Sequence, residues 1–232
     1  GFIPAAARLA DPNREIPLQI YLAESGLSIE QLYENVNAQL GRSGRCIVVV
    51  GEGFDVGDIG RTSDVFGHTQ FSASRTTAAQ AVTNYLNDKG LAVRGAARCQ
   101  VPGTDQRGSI LAASPVDLDE AYRLGQQAVQ IALEDGNGFM STLFRTPGPI
   151  YSVSYGKVPL ETVANSERTF PAAWLTKDKT DVTDDFIRYA RPLVGEDWVS
   201  VPMVDGRMRF ARLRPLFAEK KLPPYEPQTV RK

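Results

Sequence analysis

The run Cys46-Ile47-Val48-Val49-Val50 constrains the fold more than any other stretch. A half-exposed strand alternates apolar and polar residues, and this one does not. A strand that is apolar on both faces belongs in a parallel sheet covered by helices on each side. The flanking sequence agrees. Leu18 to Leu22 reads as a short apolar strand, and Ile3 to Ala10 before it is Ala-rich and helical, stopped by Asp11-Pro12-Asn13. Ser28 with Gln31 forms a capping box, after which Ile29, Leu32, Val36 and Leu40 recur at helical spacing until Gly41 and Gly44 end the helix. Beyond a glycine- and aspartate-rich loop from Gly51 to Gly67, Ser74 to Asn87 is helical. Ala92 to Val101 is a strand broken by Pro102-Gly103. This β-α-β-α-β order predicts a layered α/β domain.

The second half opens with a helix from about Ser114 to Glu134. Pro115 sits at its start, and Asp117, Asp119 and Glu120 load its first turn, as the helix dipole favours. Phe139 to Arg145 and Ile150 to Tyr155 read as two strands around a Thr-Pro-Gly-Pro turn, and Val158 to Ala164 as a short helix. A further helix from Val182 to Ala190 closes before Pro192. The tail from Val201 is basic and Pro-rich, with a hairpin expected at Asp205-Gly206.

Composition excludes several classes. The 232 residues carry 26 Lys and Arg against 27 Asp and Glu, a net charge of −1, so there is no basic footprint for nucleic acid. Hydrophobic residues make up 42%, which suits a globular domain rather than disorder. No apolar run approaches the roughly 20 residues of a membrane span. Cys46 and Cys99 are too few for a disulfide framework, and no signal pattern opens the chain, so a cytoplasmic location is expected. The chain starts Gly1-Phe2-Ile3-Pro4 with no Met, as if cut near a helix start.

Three places can carry chemistry. Open parallel sheets bind ligands beyond the C-terminal ends of their strands, where Glu52 stands between Gly51 and Gly53. It is either a ligand-facing carboxylate or a loop carboxylate in solvent. In the segment Ala92 to Val101, Arg94, Ala96, Arg98 and Gln100 face one way. Arg107 follows the Pro-Gly turn at what reads as a helix start. Two arginines brought together by strand and turn suit a phosphate, which a guanidinium grips with two hydrogen bonds. The competing reading is ion pairing with Asp105 or Glu52. His68, the single histidine, is expected to order its loop. Used as a base with an acid partner it would make the chain an unrelated hydrolase, but no Gly-x-Ser-x-Gly elbow accompanies it. The cluster Asp178, Asp181, Asp184 and Asp185 reads as a solvated helix start.

The block Gln100 to Gly108, followed by Ser114-Pro115, Asp119 and Leu124-Gly125, resembles the C-terminal half of the phosphofructokinase family, where a Gly-x-x-Gln-Arg-Gly turn leads into a helix with Asp and then Leu-Gly. Gly1 to Ala6 is similar to the stretch after the family's Met-Gly-Arg motif. Leu22-Ala23-Glu24 is similar to its Pro-Glu strand end, and Val48 to Glu52 to a strand ending in a sugar-contacting Glu. Lys157 to Asn165 resembles the closing helix of pyrophosphate-dependent and atypical bacterial members.

The resemblance implies a phosphofructokinase-like three-layer α/β/α fold with a mostly parallel sheet, of which only the C-terminal part of a two-domain protein is present. It implies a fructose 6-phosphate site in which Arg98 and Arg107 hold the 6-phosphate and Glu52 binds sugar hydroxyls. Thr104 stands where ATP-dependent members carry His and many pyrophosphate-dependent members Tyr. Glu24 matches a position near the effector site of regulated members. Residues 1–110 would form the sugar-phosphate-binding domain. Residues 111–175 would pack on a donor-binding domain, with an apolar face at Tyr122, Leu124, Val129 and Leu133, and residues 176–232 would be an extension. The family's Gly-Gly-Asp donor loop and its Thr-Ile-Asp-Asn-Asp segment, with the catalytic base and a magnesium ligand, are not in this sequence. The expectation is therefore a chain inactive alone. It would belong to an oligomeric enzyme that uses Mg2+ and transfers phosphate from pyrophosphate or ATP to the 1-hydroxyl of fructose 6-phosphate. The alternative is a non-catalytic sugar-phosphate-binding or regulatory subunit.

Overall fold

In the computed structural model, the described residues are 1–57, 62–63, 69–70, 77–210, 212–219 and 221–223. The chain divides into two units, Gly1–Val199 and Ser200–Lys232.

The first unit is organised by β1 (Leu18–Tyr21) and β2 (Ile47–Val50), which pair in parallel with Ile20 opposite Val49. Alternation along β1 sends neighbouring residues to opposite faces. Ile20 and Leu22 pack with Ala5, Phe170, Val182 and Phe186, and Val49 joins them. On the other face Tyr21 packs with Leu32, Val36, Leu40, Phe54, Val82 and Leu86, joined by Val48 and Val50. The apolar run of β2 is thus explained, because each face meets its own cluster. Val48, Val49 and Val50 are half-buried rather than buried and Ile47 is exposed, since β1 is its sole partner among the described strands.

The second cluster comes from α2 (Ile29–Ser43) and α3 (Ala78–Lys89). The Ser28–Gln31 capping box is present in both directions, and Gly44, at φ 71°, caps the C-terminus while Gly41 lies inside the helix. Thr77 caps α3. The first cluster is built from α1 (Phe2–Ala5), a 3-10 turn over Ala6–Ala10, and α7 (Asp184–Val194). This last helix runs through Pro192, past the expected stop. A proline in a final turn costs little there, since Phe186, Ile187 and Ala190 are already buried and the Ser114 hydroxyl takes up the Leu193 carbonyl at 2.6 Å.

The remaining described strands correct the expected mostly parallel sheet. β3 (Thr62–Ser63) with β4 (Thr69–Gln70), and β5 (Phe139–Arg145) with β6 (Val153–Pro159), are antiparallel pairs. The described architecture is mixed α/β. Ala92–Val101 forms no strand at all. α4 (Thr104–Arg107) is a single turn, followed by α5 (Pro115–Glu134), which carries Pro115 in its first turn and Ser114 as its cap. α6 (Leu160–Val163) is shorter than expected because β6 takes Val158 and Pro159. In the second unit, β7 (Met203–Val204) and β8 (Arg207–Met208) form the hairpin expected at Asp205-Gly206, whose φ values of 50° and 74° suit a tight hairpin turn.

Arg8 is buried, at 1% exposure. Its Nε donates to Asp181 at 2.9 Å, Nη1 to Asp11 at 2.8 Å, and Nη2 to the Leu18 carbonyl at 3.0 Å. Asp181 is therefore a structural partner, not a solvated helix-start residue. Burial alone would raise the Asp11 carboxyl. The N–H groups of Glu15 and Ile16 together with Arg8 outweigh that and hold it below its ordinary 3.8. A depressed folded-state value means its stabilisation is complete above the ordinary range and is lost as pH falls through it. The melting temperature should drop as pH goes from about 5 toward 3, with a flatter profile in Asp11→Asn. Equal slopes in the two proteins would contradict this assignment.

Candidate functional site

The turn after β2 is pinned from both ends. The Gly51 N–H donates to the Tyr21 carbonyl at 2.8 Å, and the Phe54 N–H to the Gly51 carbonyl at 3.0 Å. Phe54 is 2% exposed and meets the Tyr21 ring edge-on with centroids 5.7 Å apart. Glu52 is thereby held exposed at the C-terminal end of a parallel strand. A Cβ at Gly51 would lie 3.4 Å from both the Tyr21 carbonyl oxygen and Pro4, so the close approach there favours glycine.

Arg98 lies in a segment without assigned secondary structure that keeps strand-like alternation of burial without strand pairing. Leu91, Val93 and Ala97 pack against the α2–α3 cluster, whereas Arg94, Ala96, Arg98 and Gln100 are exposed. Strand pairing is non-local, so the alternation set the facing but could not show whether a partner strand exists. Amide side chains take up part of its backbone instead. The Ala92 N–H donates to Asn37 Oδ1 at 2.6 Å. Asn87 accepts from the Ala97 N–H at 2.7 Å and donates to the Ala97 carbonyl at 3.1 Å. These supports were invisible to sequence reasoning, because an Asn on a polar helix face carries no distinguishing signal.

Thr104 and Arg107 open and close α4, three residues apart on one face of the turn, and both are exposed. Arg107 ends this turn rather than beginning a helix. Among the described residues, neither Arg98 nor Arg107 forms an ion pair, and no hydrogen bond joins Glu52, Arg98, Thr104 and Arg107 to one another. Pairing of either arginine with Glu52 is thus not found, and the Asp105 side chain lies outside the described residues, as does His68. Glu24 is committed internally, accepting from the Phe170 N–H at 2.9 Å. A groove of about 1190 Å³ opens elsewhere, lined by Phe2, Leu111, Tyr189 and Trp198 among others, and by none of the four expected residues. Among the described residues, no group of three or more His, Cys, Asp or Glu could hold a metal ion, and no helix is long and apolar enough to cross a membrane.

No protein-family model matches the chain. It is 30% identical over 233 residues to the pyrophosphate–fructose 6-phosphate 1-phosphotransferase of Xanthomonas campestris, covering 97% of the chain and 54% of that protein. The enzyme of the same name from Rhodospirillum rubrum is 33% identical over 208 residues, 84% of the chain and 50% of the relative. Among solved structures, the pyrophosphate-dependent phosphofructokinase of Nitrosospira multiformis superposes with a TM-score of 0.73 at 30% identity, across 97% of this chain and 52% of that one. The fold is that of a phosphofructokinase-like α/β protein. Along nearly its whole length the chain is similar to pyrophosphate-dependent phosphofructokinases, and it spans about half the length of the curated relatives it matches.

Proposed function

We propose that this chain supplies the sugar-phosphate end of a phosphofructokinase, and that the intact protein transfers a phosphoryl group from pyrophosphate to the 1-hydroxyl of fructose 6-phosphate. The observation carrying this reading is the trio Arg98, Thr104 and Arg107. One arginine is exposed on the segment after α3, and the other shares a helical turn with a hydroxyl, both without ion-pair partners among the described residues. Unpaired guanidinium groups are free to grip a dianionic phosphate. Glu52, at the strand end, accepts from sugar hydroxyls. These groups bind and orient the acceptor, and orientation is a large part of phosphoryl-transfer catalysis.

The base and the donor loop are assigned to the remainder of the protein. Magnesium on the donor would neutralise developing charge, but the described residues offer it no cluster and no step on this chain runs through it. Residues 1–110 form the sugar-phosphate-binding part in this reading, residues 111–175 contact the donor-binding part, and residues 176–232 are an extension. In α5, Tyr122, Val129 and Leu133 are 68%, 62% and 79% exposed, and Leu124 is half-buried. An exposed apolar stripe of this kind suits contact with the remainder of the fold or a second subunit of a homo-oligomer.

The test is a steady-state assay of the intact protein with fructose 6-phosphate, Mg2+ and each donor in turn. Turnover with pyrophosphate that releases fructose 1,6-bisphosphate supports the reading. Turnover with ATP alone would overturn the donor assignment, and no turnover with either would favour a non-catalytic binding subunit.

A further inference from the structure

The segment that carries Arg98 poses a mechanical problem. It has no assigned secondary structure and is exposed at Arg98, yet none of the described strands runs alongside it to hold its backbone. A guanidinium on a loose backbone loses affinity, because each binding event must first order the chain. The residue immediately before Arg98 is held by one side chain on both of its polar backbone groups. Asn87 Oδ1 accepts from the Ala97 N–H at 2.7 Å, and Asn87 Nδ2 donates to the Ala97 carbonyl at 3.1 Å. A carboxamide facing a peptide in this way reproduces the paired donor and acceptor that a neighbouring strand would offer. Asn87 is itself well anchored, since it follows Leu86 on α3, whose Val82 and Leu86 are 3% and 5% exposed in the core. On the other flank of Arg98, the Cys99 thiol lies 3.5 Å from Gln80 Oε1, also on α3.

We infer that Asn87 is a positioning residue for the phosphate grip, acting through the Ala97 peptide to fix the direction in which Arg98 leaves the backbone. This rests on the reading that Arg98 holds the sugar phosphate. Asn87 touches no substrate, so its loss should weaken acceptor binding and leave the chemical step alone. In the intact protein, Asn87→Ala is expected to raise the KM for fructose 6-phosphate roughly fivefold with kcat within about twofold. Asn87→Asp keeps the acceptor and loses the donor, so its KM should fall between Asn87→Ala and the parent. It also serves as the test variant where the alanine protein folds poorly.

The deciding measurement is the double-mutant comparison on kcat/KM for fructose 6-phosphate. If Asn87 acts through Arg98, Asn87→Ala has no further effect in an Arg98→Ala background. An equal loss in both backgrounds would show an independent structural role and overturn the inference. An unchanged KM in Asn87→Ala alone would overturn it too. If Arg98→Ala leaves kcat/KM unchanged, the phosphate-site reading fails, and the positioning role fails with it. That outcome is distinct from additivity, where Arg98 matters and Asn87 acts elsewhere.

Discussion

Arg107→Ala is expected to weaken fructose 6-phosphate binding by the intact protein about a hundredfold. A hydrogen bond to a charged group contributes about 1.5–3 kcal/mol, and a guanidinium can place two on one phosphate. Arg107 ends a single helical turn that begins at Thr104, with its N–H donating to the Gly103 carbonyl at 3.2 Å. Truncation therefore removes the charge without disturbing a buried element. The phosphate at C6 is remote from the reacting 1-hydroxyl, so the loss should appear mainly in KM. A fall in kcat would show that phosphate binding also helps to place the hydroxyl. Arg107→Lys retains the charge and loses the fork, and should give an intermediate loss. Calorimetric titration or KM checks this, and an affinity within twofold of the parent would contradict the assignment.

The second large effect concerns stability. Arg8→Ala is expected to destabilise the protein by about 3–5 kcal/mol, because the change strands buried charge. Arg8 serves Asp11, Asp181 and the Leu18 carbonyl at once, and Asp181 also receives Arg14 at 3.4 Å. These contacts tie the N-terminal 3-10 turn, the first residue of β1 and the approach to α7 together across a sequence separation of 173 residues. For a domain of this size the cost corresponds to a melting-temperature drop of roughly 10 °C. Arg8→Met tests whether charge or packing dominates. Methionine fills the stem's space but leaves the buried Asp11 without a cation and Asp181 with Arg14 alone, so it should recover little. A melting temperature for Arg8→Ala within 2 °C of the parent, as a rough limit set by the size scaling, would refute the network's role.

How much of the fold is legible in the sequence follows the range of the interactions. α2, α5 and the turn at Asp205-Gly206 were legible because caps, apolar periodicity and turn residues act within a few positions. The two covered faces of β2 were legible from composition, since an unbroken Val run is intolerable in water on either side. The antiparallel character of the other described strand pairs was legible only for the two hairpins, where the turn is local. The failed strand at Ala92 to Val101 has the correct alternation, with Leu91, Val93 and Ala97 inward and Arg98 outward. What it lacks is a partner among the described strands, and no local pattern reports that. Arg8 was silent for a similar reason. An Arg in an Ala-rich helical stretch looks solvent-facing until Asp181, far along the chain, is folded onto it. At the candidate site, residue types and spacing marked Glu52, Arg98 and Arg107, whereas Thr104 was marked only by the family resemblance. The side-chain amides of Asn37 and Asn87 became visible only once α2 and α3 were placed beside the Arg98 segment.

In the proposed reading this chain carries a grip for the 6-phosphate of a sugar. Titrating the intact protein with fructose 6-phosphate, and in parallel with fructose, tests it most directly. Saturable binding of the phosphorylated sugar is expected, lost in the Arg98→Ala, Arg107→Ala double variant, with no measurable binding of fructose. Equal binding by the parent and the double variant would contradict it.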